Sequence, residues 1–169
     1  MKIIRLSFAI LVMSSIVVLT SCSSSKNTTS AVVAEHSTVK GNWVLNSVTY
    51  TGVPNGEKIK LTLLDEGNEA CLASSVWTLP MNGFGSYNII NNDKNGCVSG
   101  ERKINWSFRT ENGAQIFQYK RLEDGIKAKK ITDGYKFTVA SIDNTSMVLQ
   151  SQVAFENSVI TINYNFTKQ

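Results

Sequence analysis

The chain has 169 residues, 42% of them hydrophobic and 18% charged, and its formal net charge at pH 7 is +4. Its lysines and arginines form no run, so the sequence gives no support for a nucleic-acid partner despite a pI near 9.0. The length is that of one domain, and a chain of this size can bury a hydrophobic core without a structural metal ion.

The N-terminus has the pattern of an export signal. Lys2 and Arg5 form a basic segment, and residues 8–19 form an apolar segment shorter than the roughly 20 residues of a membrane-spanning helix. The motif Leu19-Thr20-Ser21-Cys22 resembles the lipobox of bacterial lipoprotein signal peptides. This resemblance implies a signal peptide over residues 1–21, cleavage before Cys22 and lipidation of its thiol. An ordinary secretory signal with a cysteine near its cleavage site is the alternative.

Lipidation of Cys22 would attach the protein to a membrane. Loss of residues 1–21 removes Lys2 and Arg5 and takes the net charge from +4 to +2, which is close to neutral. Ser23 at the next position resembles a signal for outer-membrane sorting, and residues 23–27 lack the acidic cluster associated with surface export. We therefore expect an outer-membrane lipoprotein of the cell envelope that faces the periplasm.

Residues 22–40 are predicted to form a flexible tether that leads from the lipidated Cys22 to a domain over residues 41–169. The tether is rich in Ser, Thr and Asn and has no periodic apolar pattern. His36 is the only histidine of the chain, and we interpret it as a solvated linker residue. A histidine-based catalytic pair or a histidine-rich metal site inside the domain is then excluded.

Cys71 and Cys97 remain once Cys22 is assigned to lipid. Two thiols in an oxidising envelope most often pair, and closing a loop of about 27 residues would stabilise the fold by roughly 3–4 kcal/mol. The alternatives are two buried free cysteines or a thiol pair held for redox work, although the wide spacing lacks the CxxC geometry of oxidoreductases. We predict a structural disulfide.

Period-two alternation of apolar and polar residues dominates the domain and predicts strands almost throughout. In one strand Ile104, Trp106 and Phe108 face one way; in the first, Trp43 shares a face with Leu45, Ser47 and Thr49. Short turns such as Asn112-Gly113 and Asp143-Asn144 predict hairpins. The predicted strands are residues 41–50, 76–79, 84–90, 103–109, 114–121, 135–142, 145–155 and 159–167.

A meander of eight strands can bury one face and remove its edges by closing into a barrel. The predicted fold is therefore all-β, an eight-stranded antiparallel up-and-down β-barrel, with a two-sheet sandwich as the alternative. Two segments break the pattern. Residues 57–74 suggest a strand followed by a short helix, and residues 126–132 suggest an extra edge strand whose outward Lys127 and Lys129 discourage edge pairing.

Gly41-Asn42-Trp43 at the start of the first strand resembles the Gly-x-Trp signature of lipocalins, and residues 41–168 resemble the small lipocalin-like lipoproteins of the Bacteroidota. The resemblance implies a lipocalin-like (calycin) barrel with Gly41 and Trp43 at its base. Lys168 stands near the place of a lipocalin arginine that packs over this tryptophan, and a lysine there can make a cation–π contact. The resemblance is also carried by Cys71, Trp77-Thr78-Leu79-Pro80, Asn82-Gly83, Cys97, Trp106, Phe117-Gln118-Tyr119-Lys120, Gly134-Tyr135 and Thr161-Ile162-Asn163-Tyr164-Asn165-Phe166.

The resemblance implies a calyx for a small hydrophobic or amphiphilic ligand, but an eight-stranded barrel can instead be filled by its own side chains. A filled barrel would favour a second hypothesis, a lipid-anchored structural or interaction module that acts as accessory or inhibitor of an envelope protein. The two readings differ in the role of the inward aromatic residues. The candidate ligand-lining residues are Trp77, Tyr87, Trp106, Phe108, Phe117, Phe137 and Tyr164.

Catalysis is not predicted. The domain contains no nucleophile elbow, no glycine-rich phosphate loop and no Cys or His metal spacing. Its acidic residues, among them Asp65 and Glu66, fall in turns and connections, where we expect them to be solvated. We therefore expect neither enzyme activity nor a cofactor.

Overall fold

The structure is a computed structural model that describes residues 35–54, 58–91 and 96–169. The predicted signal peptide, the lipidation site Cys22 and the first part of the predicted tether lie outside these residues. The described chain contains α1 (His36–Val39), β1 (Gly41–Thr51), α2 (Glu69–Leu72), β2 (Val76–Leu79), β3 (Phe84–Ile89), β4 (Gly100–Glu111), β5 (Ala114–Arg121), a 3₁₀ helix (Ala128–Lys130), β6 (Tyr135–Ile142), β7 (Ser146–Phe155) and β8 (Ser158–Lys168).

The eight strands form one closed barrel in which each strand is antiparallel to the next along the chain. The last strand, β8, pairs with β1 from Lys168 opposite Trp43 to Thr161 opposite Thr51, so neither strand is an open edge. This confirms the predicted all-β antiparallel up-and-down barrel and rules out the two-sheet sandwich. We call the end of the barrel at which β1 begins the base, and the end at which β1 finishes the mouth.

The inward face of β1 changes part-way along the strand. The register against β8 shifts between Leu45 and Ser47, which marks a β-bulge. Trp43 and Leu45 are buried before it, Val48 is buried after it, and Ser47 and Thr49 are exposed. The prediction that Ser47 and Thr49 share a face with Trp43 is therefore wrong, because a bulge inserts a residue that strict alternation does not reveal.

The two irregular segments also differ from expectation. Residues 126–132 form no edge strand, because β5 pairs directly with β6 and leaves no edge there; a 3₁₀ helix lies there instead, and the Lys120 ammonium donates to the Ile131 carbonyl oxygen at 2.6 Å. The described part of residues 57–74 contains the predicted short helix, α2, whose N-terminus is capped by Asn68. The strand predicted before it is reduced to a single bridge between Leu63 and Gly67.

The end of the predicted tether packs against the base of the barrel. Residues 36–39 form α1, and the Val39 carbonyl oxygen accepts a hydrogen bond from Trp43 Nε1 at 2.7 Å. The His36 ring stacks on Trp106 with centroids 4.3 Å apart and an interplanar angle of 17°. His36 is therefore part of the folded base, and our interpretations of His36 as solvated and of the tether as flexible up to Lys40 are corrected.

Lys168 closes the base from the C-terminal side. Its ammonium nitrogen lies 5.0 Å from the centroid of the Trp43 ring, which is the cation–π contact that we expected. The same nitrogen donates to the Thr38 carbonyl oxygen at 3.2 Å. Trp43 is fully buried between these contacts and the barrel core.

Replacing Trp43 by alanine would leave a cavity at the base, and we expect the free energy of unfolding to fall by roughly 3–5 kcal/mol. The measurement is urea unfolding followed by circular dichroism. Phe84→Ala is the control: Phe84 is 57% exposed on the outer face of β3, so its loss is expected to change the free energy by no more than about 0.5 kcal/mol. Equal effects of the two substitutions would contradict this account of the base.

Candidate functional site at the barrel mouth

Most of the predicted ligand-lining side chains belong to a filled core. Trp77, Tyr87, Trp106 and Phe117 are each at most 3% exposed. Trp77 stacks on Tyr87 with ring centroids 4.5 Å apart, and Trp106 stacks on Phe117 at 5.9 Å. Phe108 is partly buried and packs against the same cluster. Because these rings fill the base and middle of the barrel, the structure places them in the core rather than on a cavity.

A cavity of about 300 Å³ lies at the mouth. Phe137 and Tyr164, the remaining members of the predicted set, line it. The backbone and side chains of residues 61–64 cover it from the mouth side. Its other walls come from β6, β7 and β8 and are formed by Gly134, Tyr135, Lys136, Ser151, Val153 and Ile162.

The connection between β1 and β2 closes the mouth. We call residues 58–75, which carry α2, the cover segment. Leu63, Leu64 and Leu72 in this segment are at most 8% exposed and belong to the hydrophobic core. Burial of such side chains contributes about 1.5–3 kcal/mol each, so the cover segment is held down by its leucines.

The cover segment contains a tight turn at residues 63–67. The Leu63 amide donates to the Gly67 carbonyl oxygen at 2.7 Å, and the Glu66 amide donates to the Leu63 carbonyl oxygen at 2.9 Å. Leu64 and Asp65 have φ angles of 52° and 55°. These left-handed conformations cost non-glycine residues roughly 1–2 kcal/mol each, so contacts made by the turn must offset the strain.

The Glu66 carboxylate makes the ionic contacts of this turn. Its side chain is only 3% exposed, and Arg102 holds it through two bonds, Nη2 to Oε2 at 2.8 Å and Nε to Oε1 at 3.1 Å. Arg121 Nη1 lies 3.3 Å from Oε1, and the Tyr87 hydroxyl donates to Oε1 at 2.7 Å. A buried carboxylate is tolerated only when it is paired and hydrogen-bonded in this way. Our interpretation of Glu66 as a solvated turn residue is therefore wrong.

Arg102 and Tyr87 are both held in the state that Glu66 requires. Arg102 also donates through Nη2 to the Val98 carbonyl oxygen at 2.7 Å, which orients its guanidinium. Burial, followed by the hydrogen bond to Glu66, raises the pKa of Tyr87 far above its usual value, so the phenol stays protonated and remains a donor. The arrangement is a carboxylate-binding site built from two guanidinium groups and one hydroxyl.

The sequence pattern concealed this site. Arg102 has the same parity along β4 as Ile104 and Trp106, which are buried, so it faces inward although it is charged. A charged residue interrupts the apolar alternation from which strands are predicted. For this reason the sequence predicts that β4 begins at Lys103, whereas it begins at Gly100. A charged residue in register with the inward apolar positions was the available signal.

Tyr135 links the cavity to the turn. It lines the cavity, and its hydroxyl donates to Asp65 Oδ2 at 2.5 Å and lies 3.1 Å from the Leu64 carbonyl oxygen. Burial, followed by the hydrogen bond to Asp65, raises the pKa of Tyr135 to about 12. The phenol is therefore neutral near pH 7. Its hydrogen bond to Asp65 helps to hold the turn at residues 63–67, which lies between the cavity and the two arginines.

The disulfide secures the other half of the cover segment. Cys71 in α2 is bonded to Cys97 in the β3–β4 connection, with Cα atoms 5.2 Å apart. The Asn91 side-chain amide donates to the carbonyl oxygens of Ala70 and Ala73, each at 2.6 Å. The predicted structural disulfide is confirmed, and it leaves residues 58–67 as the part of the segment without a covalent tie to the barrel rim.

Within residues 35–54, 58–91 and 96–169, no group of three or more His, Cys, Asp or Glu side chains could hold a metal ion. The polar groups of the mouth are instead arranged for hydrogen bonding and charge pairing.

Two polar atoms of the core are buried without a hydrogen bond of good geometry to any described residue, Trp106 Nε1 and the Tyr119 hydroxyl. Tyr119 is 1% exposed and stacks on Tyr135 at 4.8 Å. An unsatisfied buried hydroxyl costs roughly 1–3 kcal/mol. At these two positions aromatic packing, rather than the polar atom, stabilises the side chain.

Tyr119→Phe removes this hydroxyl and keeps the ring, so we expect equal or greater stability, by up to roughly 1–3 kcal/mol. Tyr87→Phe is the matched comparison, because it removes a hydrogen bond to a buried carboxylate and should destabilise by roughly 1.5–3 kcal/mol. Urea unfolding of both variants is the measurement. A clear loss of stability in Tyr119→Phe would show that its hydroxyl has a partner.

No protein-family model and no curated protein matches the chain. Among solved structures, the chain is similar to a lipocalin-like protein from Bacteroides uniformis ATCC 8492, with 15% sequence identity and a TM-score of 0.45 over 78% of this chain and 99% of that one. The fold class itself rests on the strand order of the closed barrel.

Proposed function

We propose that this protein is a binding barrel that holds a small hydrophobic or amphiphilic molecule at its mouth. The observation that carries the proposal is the cavity of about 300 Å³ beneath the cover segment. Ligand pockets in proteins commonly have volumes of about 300–1,000 Å³ and are mostly apolar with a few polar groups. Aliphatic and aromatic side chains line this cavity, and Thr62, Lys136 and Ser151 are its polar lining residues.

The filled core limits the size of the ligand. Tyr119 and Phe137 stack with centroids 6.1 Å apart, and Phe137 meets Tyr164 edge-on at 5.3 Å. Phe137 and Tyr164 line the cavity and Tyr119 packs against Phe137, so a ligand occupies only the mouth of the barrel unless these rings move. A single alkyl chain or a compact ring system suits such a space. The proposal includes no catalytic step and no cofactor.

A second candidate function is that of a lipid-anchored interaction module, an accessory or inhibitor protein of the envelope. The observation that favours it is the filled base and middle of the barrel, which leaves most of the interior without space for a ligand. Met81 and Phe84, both more than half exposed, lie together in and after the β2–β3 turn, and exposed apolar groups of this kind can meet a partner.

The lipid anchor is part of both candidate functions. The lipobox-like residues 19–22 support attachment through Cys22 and an outer-membrane position facing the periplasm, with residues 22–35 as the connection to α1. None of the helices in the described ranges has the length and apolar character needed to cross a membrane. Two or more acyl chains on Cys22 would hold the protein firmly, whereas one binds only marginally.

Binding at the mouth can be tested with N-phenyl-1-naphthylamine, a neutral apolar probe whose fluorescence rises when it leaves water. We expect saturable binding with micromolar affinity, or about 8 kcal/mol. Val153→Trp should lower this affinity at least about tenfold, because Val153 lines the cavity and the larger ring would fill it.

Ala154→Trp is the matched control for this test. Ala154 neighbours Val153 on β7 but is exposed on the outer face, so the same ring added there should leave probe affinity unchanged. Thermal unfolding of both variants checks that each remains folded, since overpacking costs about 1–3 kcal/mol. The proposal fails if no saturable binding is seen, or if the two variants lose affinity equally; the interaction module would then be preferred.

The anchor is tested by growth with an alkyne-labelled fatty acid. We expect the wild-type protein to carry the label and to stay with membranes in high salt, because acyl chains rather than charge hold it there. Cys22→Ala should lose both properties, while Ser21→Ala, which keeps a small residue beside the cysteine, should retain them. Equal labelling of Cys22→Ala and wild type would refute the lipidation of Cys22.

A further inference from the structure

We propose that Arg102, Arg121 and Tyr87 form the head-group site for a carboxylate ligand, and that the protein's own Glu66 fills this site while the ligand is absent. This inference rests on the proposed binding function and names its ligand class, a single-chain amphiphile that carries a carboxylate. The cover segment is then a built-in competitor of the ligand.

The geometry around Glu66 is that of a recognition site. A bidentate guanidinium, a second guanidinium and a phenol converge on one carboxylate at 2.7–3.3 Å. Arginine forks match the planar shape of a carboxylate, and such charge-assisted pairs are among the strongest hydrogen bonds in proteins. Any carboxylate that reached the same place would find the same donors.

Glu66 reaches the site from a strained turn that the disulfide does not anchor directly. The turn that carries it has Leu64 and Asp65 at φ angles of 52° and 55°, and the disulfide ties the cover segment to the rim only at Cys71. Displacement of the turn would relieve these left-handed conformations and return the buried Glu66 carboxylate to water.

The turn also separates the arginines from the apolar cavity. Leu64 lines the cavity, whereas Glu66, two residues further along, lies among the arginines. Tyr135 spans the boundary, since its ring lines the cavity and its hydroxyl contacts Asp65. Movement of residues 63–67 would join an apolar space to a pair of cations, which is the arrangement that an alkyl carboxylate requires.

The exchange leaves no buried charge without a partner. Removing Glu66 alone would leave the largely buried guanidinium of Arg102, only 15% exposed, without its carboxylate, and such uncompensated charges are strongly disfavoured. A ligand carboxylate replaces Glu66 in the same contacts, so arginine pairing is conserved while the alkyl chain gains burial. A neutral ligand with the same chain cannot make this exchange.

The test compares dodecanoate with dodecanol by calorimetric titration of the folded protein. Glu66→Gln removes the internal carboxylate and keeps the shape of the side chain, so we expect dodecanoate affinity to rise at least about tenfold, as loss of a charge-assisted competitor implies. Dodecanol affinity should stay the same within about threefold. In wild type, dodecanoate should displace bound N-phenyl-1-naphthylamine.

Two further variants make the result specific. Asp143→Asn removes a carboxylate that is also hydrogen-bonded, but by Thr145 and Ser146 in the β6–β7 turn at the base, and it should leave both affinities unchanged. The double variant Glu66→Gln/Arg102→Gln leaves no unpaired carboxylate behind, and its dodecanoate affinity should fall at least about tenfold below that of Glu66→Gln, because the two-bond guanidinium is lost while Arg121 and Tyr87 remain. Thermal unfolding confirms that each variant is folded.

The outcomes separate this inference from the proposed function. If the probe binds but dodecanoate and dodecanol bind equally in Glu66→Gln, the mouth is a ligand site and the carboxylate assignment is overturned. The assignment is also overturned if Glu66→Gln weakens dodecanoate binding, or if the double variant binds dodecanoate as tightly as Glu66→Gln does. If neither the probe nor either amphiphile binds, both the inference and the proposed function fall.

Discussion

The arrangement of the mouth depends on one buried carboxylate, that of Glu66, held between Arg102 and Arg121. Taking a charge out of water costs several kcal/mol even after relaxation, so this cluster is tolerated only when every partner is in place. The pairing of β4 with β5 supplies the two arginines from neighbouring strands, and the turn at residues 63–67 supplies the carboxylate. This pairing and the buried leucines of the cover segment together hold the strained turn in place.

The two ends of the barrel have different physical chemistry. The base is dry and aromatic: Trp43 is sealed by α1 and Lys168, and Trp106 is covered by the His36 ring. The mouth combines leucines of the cover segment with ions and phenols. The closed base contributes stability. At the mouth the cover segment makes both apolar and ionic contacts, and in our proposal a ligand replaces contacts of both kinds. This contrast is why we place function at the mouth.

Alternation and turn residues were sufficient to predict the eight strands, their order and the disulfide, because those features depend on local pattern and on the compartment. Features that depend on which strands meet were not predictable in this way. The bulge after Leu45 changes which residues of β1 face inward, and no local sequence signal marks it. His36 lies in a polar segment typical of a linker, and only the fold shows that its ring stacks on Trp106. The sequence around Glu66 predicts a solvated turn residue, because it does not show that the Arg102 side chain faces the barrel interior and pairs with it.

The most direct test of this account is a crystal structure of Glu66→Gln grown with dodecanoate. The account predicts an alkyl chain against Phe137 and Tyr164, a carboxylate between the guanidinium groups of Arg102 and Arg121, and residues 63–67 displaced from the positions they hold in the free protein. A chain bound outside the mouth, or a carboxylate that makes no contact with either arginine, would contradict it.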